Sequence, residues 1–122
     1  ATVFKVPHHG SSNADQPRVW EEALGKSPWA ILTPMIRGRN RLPKESDRRR
    51  LLDRTGNVFI AASPERLKRK RDATVEATLK AVAAEPVILD PPMGQVRLRS
   101  EPSEEGWEVD LFGPARPLAA IT

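Results

Sequence analysis

Two histidines stand side by side, His8 and His9, in the stretch VFKVPHHGSSNAD, and the 122-residue chain has no others. Imidazole is the commonest protein ligand for metals such as zinc and the side chain best placed to move protons near neutral pH. The pair follows an apolar run that ends at Pro7 and precedes a turn of small residues. That puts it in the loop leaving the C-terminal end of a strand, where open α/β sheets gather their chemistry. A zinc centre takes about three protein ligands per ion, so two histidines cannot complete one alone. The absence of cysteine excludes a thiolate zinc site, a thiol nucleophile and a disulfide frame. On the residues alone His8 and His9 are either part of a larger metal and catalytic site or surface residues at the edge of the core.

The other side chains able to do chemistry are mostly cationic. Residues 36–71 hold thirteen basic against four acidic side chains, while residues 72–122 hold four against nine. Such a block favours phosphate-bearing partners, although part of it is also what a solvated helix surface looks like. Arg37, Arg39 and Arg41 alternate around Asn40, and in an extended segment they could grip phosphate in forked geometry. Arg39 and Asn40 are therefore candidate substrate contacts, with turn formation as the plainer role of Asn40. Ser11 and Ser12 either fix the histidine loop or hydrogen-bond a ligand. Arg48, Arg49 and Arg50 lie about 100° apart on a helix, so they cannot share one ligand and are expected on the surface. The densest cluster is RLKRKR, where Arg66, Lys68, Arg69, Lys70 and Arg71 could track a nucleic-acid backbone, but no aromatic is interleaved for base stacking. Ser63 lacks a Gly-x-Ser-x-Gly context and reads as a helix cap, while Trp20, Trp29 and Trp107 read as packing residues.

The elements that must position these groups follow from the apolar pattern. With 39% apolar residues the chain is sized for one domain. It has no apolar run long enough to cross a bilayer and no export signal at its start, so the expectation is a soluble cytoplasmic protein with no membrane partner. Thr2 to Val6 reads as a strand, residues 17–24 as a short helix, and Trp29 to Thr33 as a buried strand between prolines. RGRNRLP reads as a loop, and Pro43 as the start of an Arg-rich helix stopped at Thr55 to Asn57. NVFIAAS is a third strand, and a further helix begins after Ser63. QVRLRSE and WEVDLFG alternate on either side of a PSEEG turn, which predicts an antiparallel hairpin with one buried face. The order is strand, helix, strand, helix, strand, helix, then hairpin, an α/β layered domain.

This order, with KVPHHGSS, SPWAILTP, an Asn-containing loop, LP and GNVFIAAS, resembles the C-terminal half of metallo-β-lactamase-fold hydrolases. The pattern is most similar to the hydrolase domain of bacterial DNA-uptake (competence) channel proteins. The resemblance covers residues 2–62 and implies half of an αββα sandwich, so that residues 1–122 form a single partial domain. It also implies a binuclear zinc centre, with manganese as the alternative metal, acting on a phosphodiester or other anionic substrate. His8 or His9 would supply a ligand, and the spacing from His9 to Ser11 favours His9. Two departures stand out: Pro7 replaces the family's usual Gly, and Asn40-Arg41-Leu42-Pro43 lacks the aromatic and the histidine the family carries there. The family's His-x-His-x-Asp-His motif, a further His and a bridging Asp are all missing. The resemblance therefore implies a partner, the N-terminal half of the domain, on an upstream segment or a separate chain. The alternative is a non-catalytic module that uses the basic face to bind a protein or nucleic acid.

Overall fold

The computed structural model describes residues 2–66, 93–101 and 106–121. In chain order the elements are β1 (Val3–Lys5), β2 (Trp29–Leu32), β3 (Met35–Arg37), β4 (Asn40–Leu42), helix α1 (Glu45–Arg54), β5 (Val58–Ile60), β6 (Gln95–Arg99), β7 (Glu108–Phe112) and β8 (Arg116–Pro117). The main sheet has the order β1-β2-β5-β8. Its first three strands are parallel, with Phe4 opposite Ala30 and Ala30 opposite Val58, and β8 closes it antiparallel. β3–β4 and β6–β7 are separate two-stranded hairpins. The chain is thus mixed α/β, with most of its described regular structure in strands.

Alternation along the strands divides the sheet into two faces. Ala30, Leu32, Val58 and Ile60 are 0–1% exposed and pack with Val6 against Leu51 of α1 and Leu118 near the C-terminus. Burying a side chain of the Leu or Ile type contributes roughly 1.5–3 kcal/mol, and among the described residues this cluster is the hydrophobic core. The opposite face presents Val3, Trp29, Ile31 and Phe59, all half-buried, with the Trp29 and Phe59 rings stacked 5.7 Å apart. A sheet face this apolar on its second side is the pattern of a strand layer covered twice.

Helix α1 starts where Asp47 accepts the Lys44 backbone N–H at 3.0 Å, and it carries Glu45 and Asp47 in its first turn and Arg54 in its last. Both placements suit the helix dipole. It stops at Thr55, whose extended backbone (φ −159°) cannot continue it. The buried Thr55 hydroxyl donates to the Pro28 carbonyl at 2.8 Å, tying the helix end to the entry of β2. Thr55→Val, which keeps shape and removes that bond, is expected to cost about 1–2 kcal/mol, read as a lower urea midpoint at unchanged slope.

Several expectations need correction. RGRNRLP is not a loop but the hairpin β3–β4, closed by Gly38 and Arg39 with Gly38 at φ +61°. Positive φ at the first of two turn residues is the type II′ geometry that matches strand twist. The short helix expected over residues 17–24 is present over 17–23 but with a different pitch: Val19–Ala23 widen to a π turn in which the Leu24 N–H reaches the Val19 carbonyl at 3.0 Å. After Ser63 there is a short 3₁₀ turn, Pro64–Arg66, and the rest of the helix expected there lies outside the described residues. The terminal hairpin is antiparallel as expected, with Val96 opposite Leu111 and Leu98 opposite Val109, but no strand residue in it is fully buried. Leu111 and Phe112 are 38% and 43% exposed. No described helix is long and apolar enough to cross a membrane.

Candidate functional site

The apolar strand β1 runs directly into the histidines. The Val6 N–H still bonds the Ile31 carbonyl at 2.8 Å, and beyond it the chain turns sharply. His8 (φ 49°, ψ 39°), His9 (φ 55°, ψ 28°) and Gly10 (φ 84°) are three successive residues in left-handed conformation. Each non-glycine residue there costs roughly 1–2 kcal/mol relative to its preferred state, so the surroundings must hold the turn in place. Gly10 is required twice over. Its φ suits glycine, and a Cβ would sit 3.1–3.3 Å from Leu32 Cδ1, Leu51 Cδ1 and Pro43 Cβ in the core.

Two side-chain contacts fix the loop from opposite sides. The His9 ring lies with Nδ1 2.8 Å from the Thr33 carbonyl oxygen and 3.2 Å from Thr33 Oγ1. A carbonyl can only accept, so Nδ1 carries a proton, and in the neutral ring Nε2 is the nitrogen left to accept or ligate. This is the arrangement by which metal-binding histidines are oriented, one nitrogen donating to a carbonyl and the other left to ligate. On the other side Arg50 donates to the Gly10 carbonyl at 2.6 Å and to Asp47 Oδ1 at 2.8 Å, with its Nε 3.5 Å from Asp15 Oδ2. Asp15 in turn accepts from Trp20 Nε1 at 3.2 Å, and Trp20 packs edge-on against Phe4 of β1. Asp47, Arg50, Asp15 and Trp20 thus link α1, the histidine loop and β1 in one network.

The expected site residues fall in different places. His9 is half-buried and oriented, whereas His8 is exposed. Ser11 fixes the loop, its hydroxyl accepting from the Asn13 N–H at 3.4 Å, and Ser12 is exposed. Arg39 sits at the tip of the β3–β4 hairpin and Asn40 on β4, both exposed. Arg37 and Asn40 share one face of the hairpin and Arg41 the other, so the three alternating arginines do not line one side. Arg66 is the last described residue of its segment, and Lys68, Arg69, Lys70 and Arg71 lie outside the described residues. The expectation that Arg48, Arg49 and Arg50 are mostly surface groups holds for Arg49 but fails for Arg50, which is 24% exposed, and for Arg48, which is half-buried and donates to the Pro43 carbonyl at 3.1 Å. Thr33, Asp47 and Asp15 were not foreseen. Thr33 is signalled only by its place at the end of the strand neighbouring β1, and Asp47–Arg50 only by i,i+3 spacing.

Among the described residues no group of three or more His, Cys, Asp or Glu side chains is placed to hold a metal ion. The donors that the chain offers to a metal at this loop are the His9 Nε2 and, beside it, the exposed His8. Behind the loop a mostly apolar cleft of about 160 Å³ opens between Phe4, Pro7, Ser11, Trp20 and Arg50, and neither histidine lines it. Comparison of the chain with protein-family models, with curated proteins and with solved structures finds no match.

Proposed function

We propose that this chain is the C-terminal portion of a cytoplasmic metal-dependent hydrolase of the metallo-β-lactamase type, acting on a phosphodiester or other anionic substrate. The observation that carries the reading is His9: a strand-end imidazole pinned through Nδ1 by Thr33 presents Nε2 as a ligand. Two further features support a missing half. Among the described strands β1 pairs only with β2, which leaves its other edge able to accept a strand, and the Trp29–Phe59 face is apolar enough to accept a second sheet. The remaining metal ligands would come from residues outside this chain. A pair of zinc or manganese ions would polarise the scissile oxygen and make water nucleophilic at neutral pH. The chain's own residues orient one ligand (Thr33), hold its loop (Arg50) and place a cationic hairpin beside it.

The test is elemental analysis of the protein purified with every segment or chain that accompanies it. About two zinc or manganese ions per particle are expected, with loss of at least one in His9→Ala and less change in His8→Ala. Metal content unaffected by His9→Ala would overturn the assignment. A second reading, a non-catalytic module that binds through its basic face, is favoured by Arg37, Arg39 and Arg41 of the β3–β4 hairpin, which have no ion-pair partner among the described residues.

A further inference from the structure

The described arginines divide sharply by what they touch. Arg18, Arg49, Arg50, Arg54, Arg97 and Arg99 are in ion pairs, and Arg48 and Arg116 donate to backbone carbonyls. Arg37, Arg39 and Arg41 have no hydrogen-bond or ion-pair partner among the described residues, and all three are exposed. They are the cations of one short hairpin that holds no acidic residue between Thr33 and Lys44. Nothing among the described residues uses their charge.

Both ends of that hairpin are rooted at the histidine loop. Thr33, two residues before β3, bonds His9, and Pro43, immediately after β4, lies against Gly10. The hairpin therefore leaves the protein from the same end of the sheet as the candidate ligand. Its register sets the kind of anion it fits. Arg37 and Arg41 project from opposite faces and Arg39 from the tip, so they cannot converge on one phosphate group. Divergent guanidinium forks on a two-stranded ribbon instead suit an extended chain of phosphates, contacted one after another, as β-ribbons contact nucleic acid in a groove or along a backbone.

We infer that the β3–β4 hairpin is an arm that grips the phosphate backbone of a nucleic-acid strand and delivers it toward His9. The inference rests on the hydrolase reading for the strand's destination, but its binding is measured without turnover. The probe is a fluorescein-labelled 20-nucleotide DNA, single-stranded and as duplex, titrated by anisotropy between 50 and 200 mM salt. Three phosphate contacts alone would weaken duplex binding about 40-fold over that range, and single-strand binding about 20-fold. Each of Arg37→Gln, Arg39→Gln and Arg41→Gln should lower the log–log salt slope by about 0.9 on duplex or about 0.7 on single strand, whichever is bound. The triple variant should lose at least about tenfold affinity at 50 mM salt. Arg49→Gln, in an exposed ion pair elsewhere, should leave the slope unchanged, and unaltered melting temperatures establish that the hairpin variants are folded.

Equal slopes for the unaltered chain and the triple variant would overturn the inference, as would absence of DNA binding by the unaltered chain. Displacement of DNA by polyglutamate at equal charge concentration would also overturn it, in favour of an acidic protein partner. Retained arginine-dependent binding with no metal-linked role for His9 would leave the arm standing and the hydrolase reading fallen, so the two failures are separable.

Discussion

Arg50→Met is expected to lower stability by about 2–3 kcal/mol, less than the roughly 3–5 kcal/mol of a fully buried ion pair because Arg50 keeps some solvent contact. The substitution removes the donor to the Gly10 carbonyl and leaves Asp47, 4% exposed, with only the Lys44 N–H, and Asp15 with the Trp20 Nε1–H and the more distant Arg54 at 3.9 Å. Two desolvated carboxylates and a carbonyl lose a partner at once. Arg50→Lys should recover little, because one ammonium cannot reproduce a planar fork that reaches three groups. Arg49→Met, which breaks only the exposed pair with Glu45, should stay within about 0.5 kcal/mol. Urea unfolding of the three variants is the measurement. The histidine loop adds a second readout: in Arg50→Met the His9 ring resonances should shift and broaden as the left-handed turn loses one of its two anchors. Equal urea midpoints for Arg50→Met and Arg49→Met would mean that the network does not hold the loop.

Gly94→Ala should be as damaging for a different reason. Gly94 precedes β6, donates its N–H to the Ala61 carbonyl at 2.8 Å, and passes so close to the β7–β8 turn that an added Cβ would lie 2.1 Å from the Phe112 carbonyl oxygen and 2.5 Å from the Ala115 nitrogen. Backbone atoms on both sides have no rotamer to retreat into. Relief requires the chain to move, which strains or breaks the bond to Ala61, and the expected loss is about 3 kcal/mol or more. Gly56→Ala is the control, since a Cβ there meets nothing within 4 Å. It should be neutral or raise stability by up to about 1 kcal/mol through the unfolded chain. Thermal melts of the two proteins should therefore move in opposite directions; a Gly94→Ala protein that melts with the parent would show that β6 does not pass this close to β7–β8.

What the sequence reveals and what it conceals follow from how local each signal is. β1, β2 and β5 are legible because apolar, β-branched residues are bracketed by Pro7, Pro28, Pro34 and Gly56. The β6–β7 hairpin is legible because Val96, Leu98, Val109 and Leu111 alternate with charges. β3 and β4 are hidden because they are three residues each, are rich in arginine, and turn at Gly-Arg rather than Asn-Gly or Asp-Gly. β8 is two residues long and includes a proline, so it has no local signature at all. The histidine loop can be placed at a strand end from Pro7 onward, yet its left-handed backbone depends on Thr33, Leu51 and Arg50, which arrive from three other elements. Arg50 is indistinguishable from Arg48 and Arg49 in the sequence; only its position on α1 opposite Gly10 separates them.

The antiparallel closure of the main sheet by β8 also bears on how the protein reaches its native state. β8 pairs with β5, Ile60 opposite Arg116, across roughly 55 residues of intervening sequence, and the neighbouring Leu118 is wholly enclosed in the core. β1, β2, α1 and β5 can find one another over shorter separations, but their apolar face lacks Leu118 until that late segment docks. High sequence separation between partners slows folding, toward the millisecond-to-second range of β-rich topologies. During synthesis residues 1–60 therefore leave the ribosome with this face open, and the step that seals it waits for the translation of Leu118.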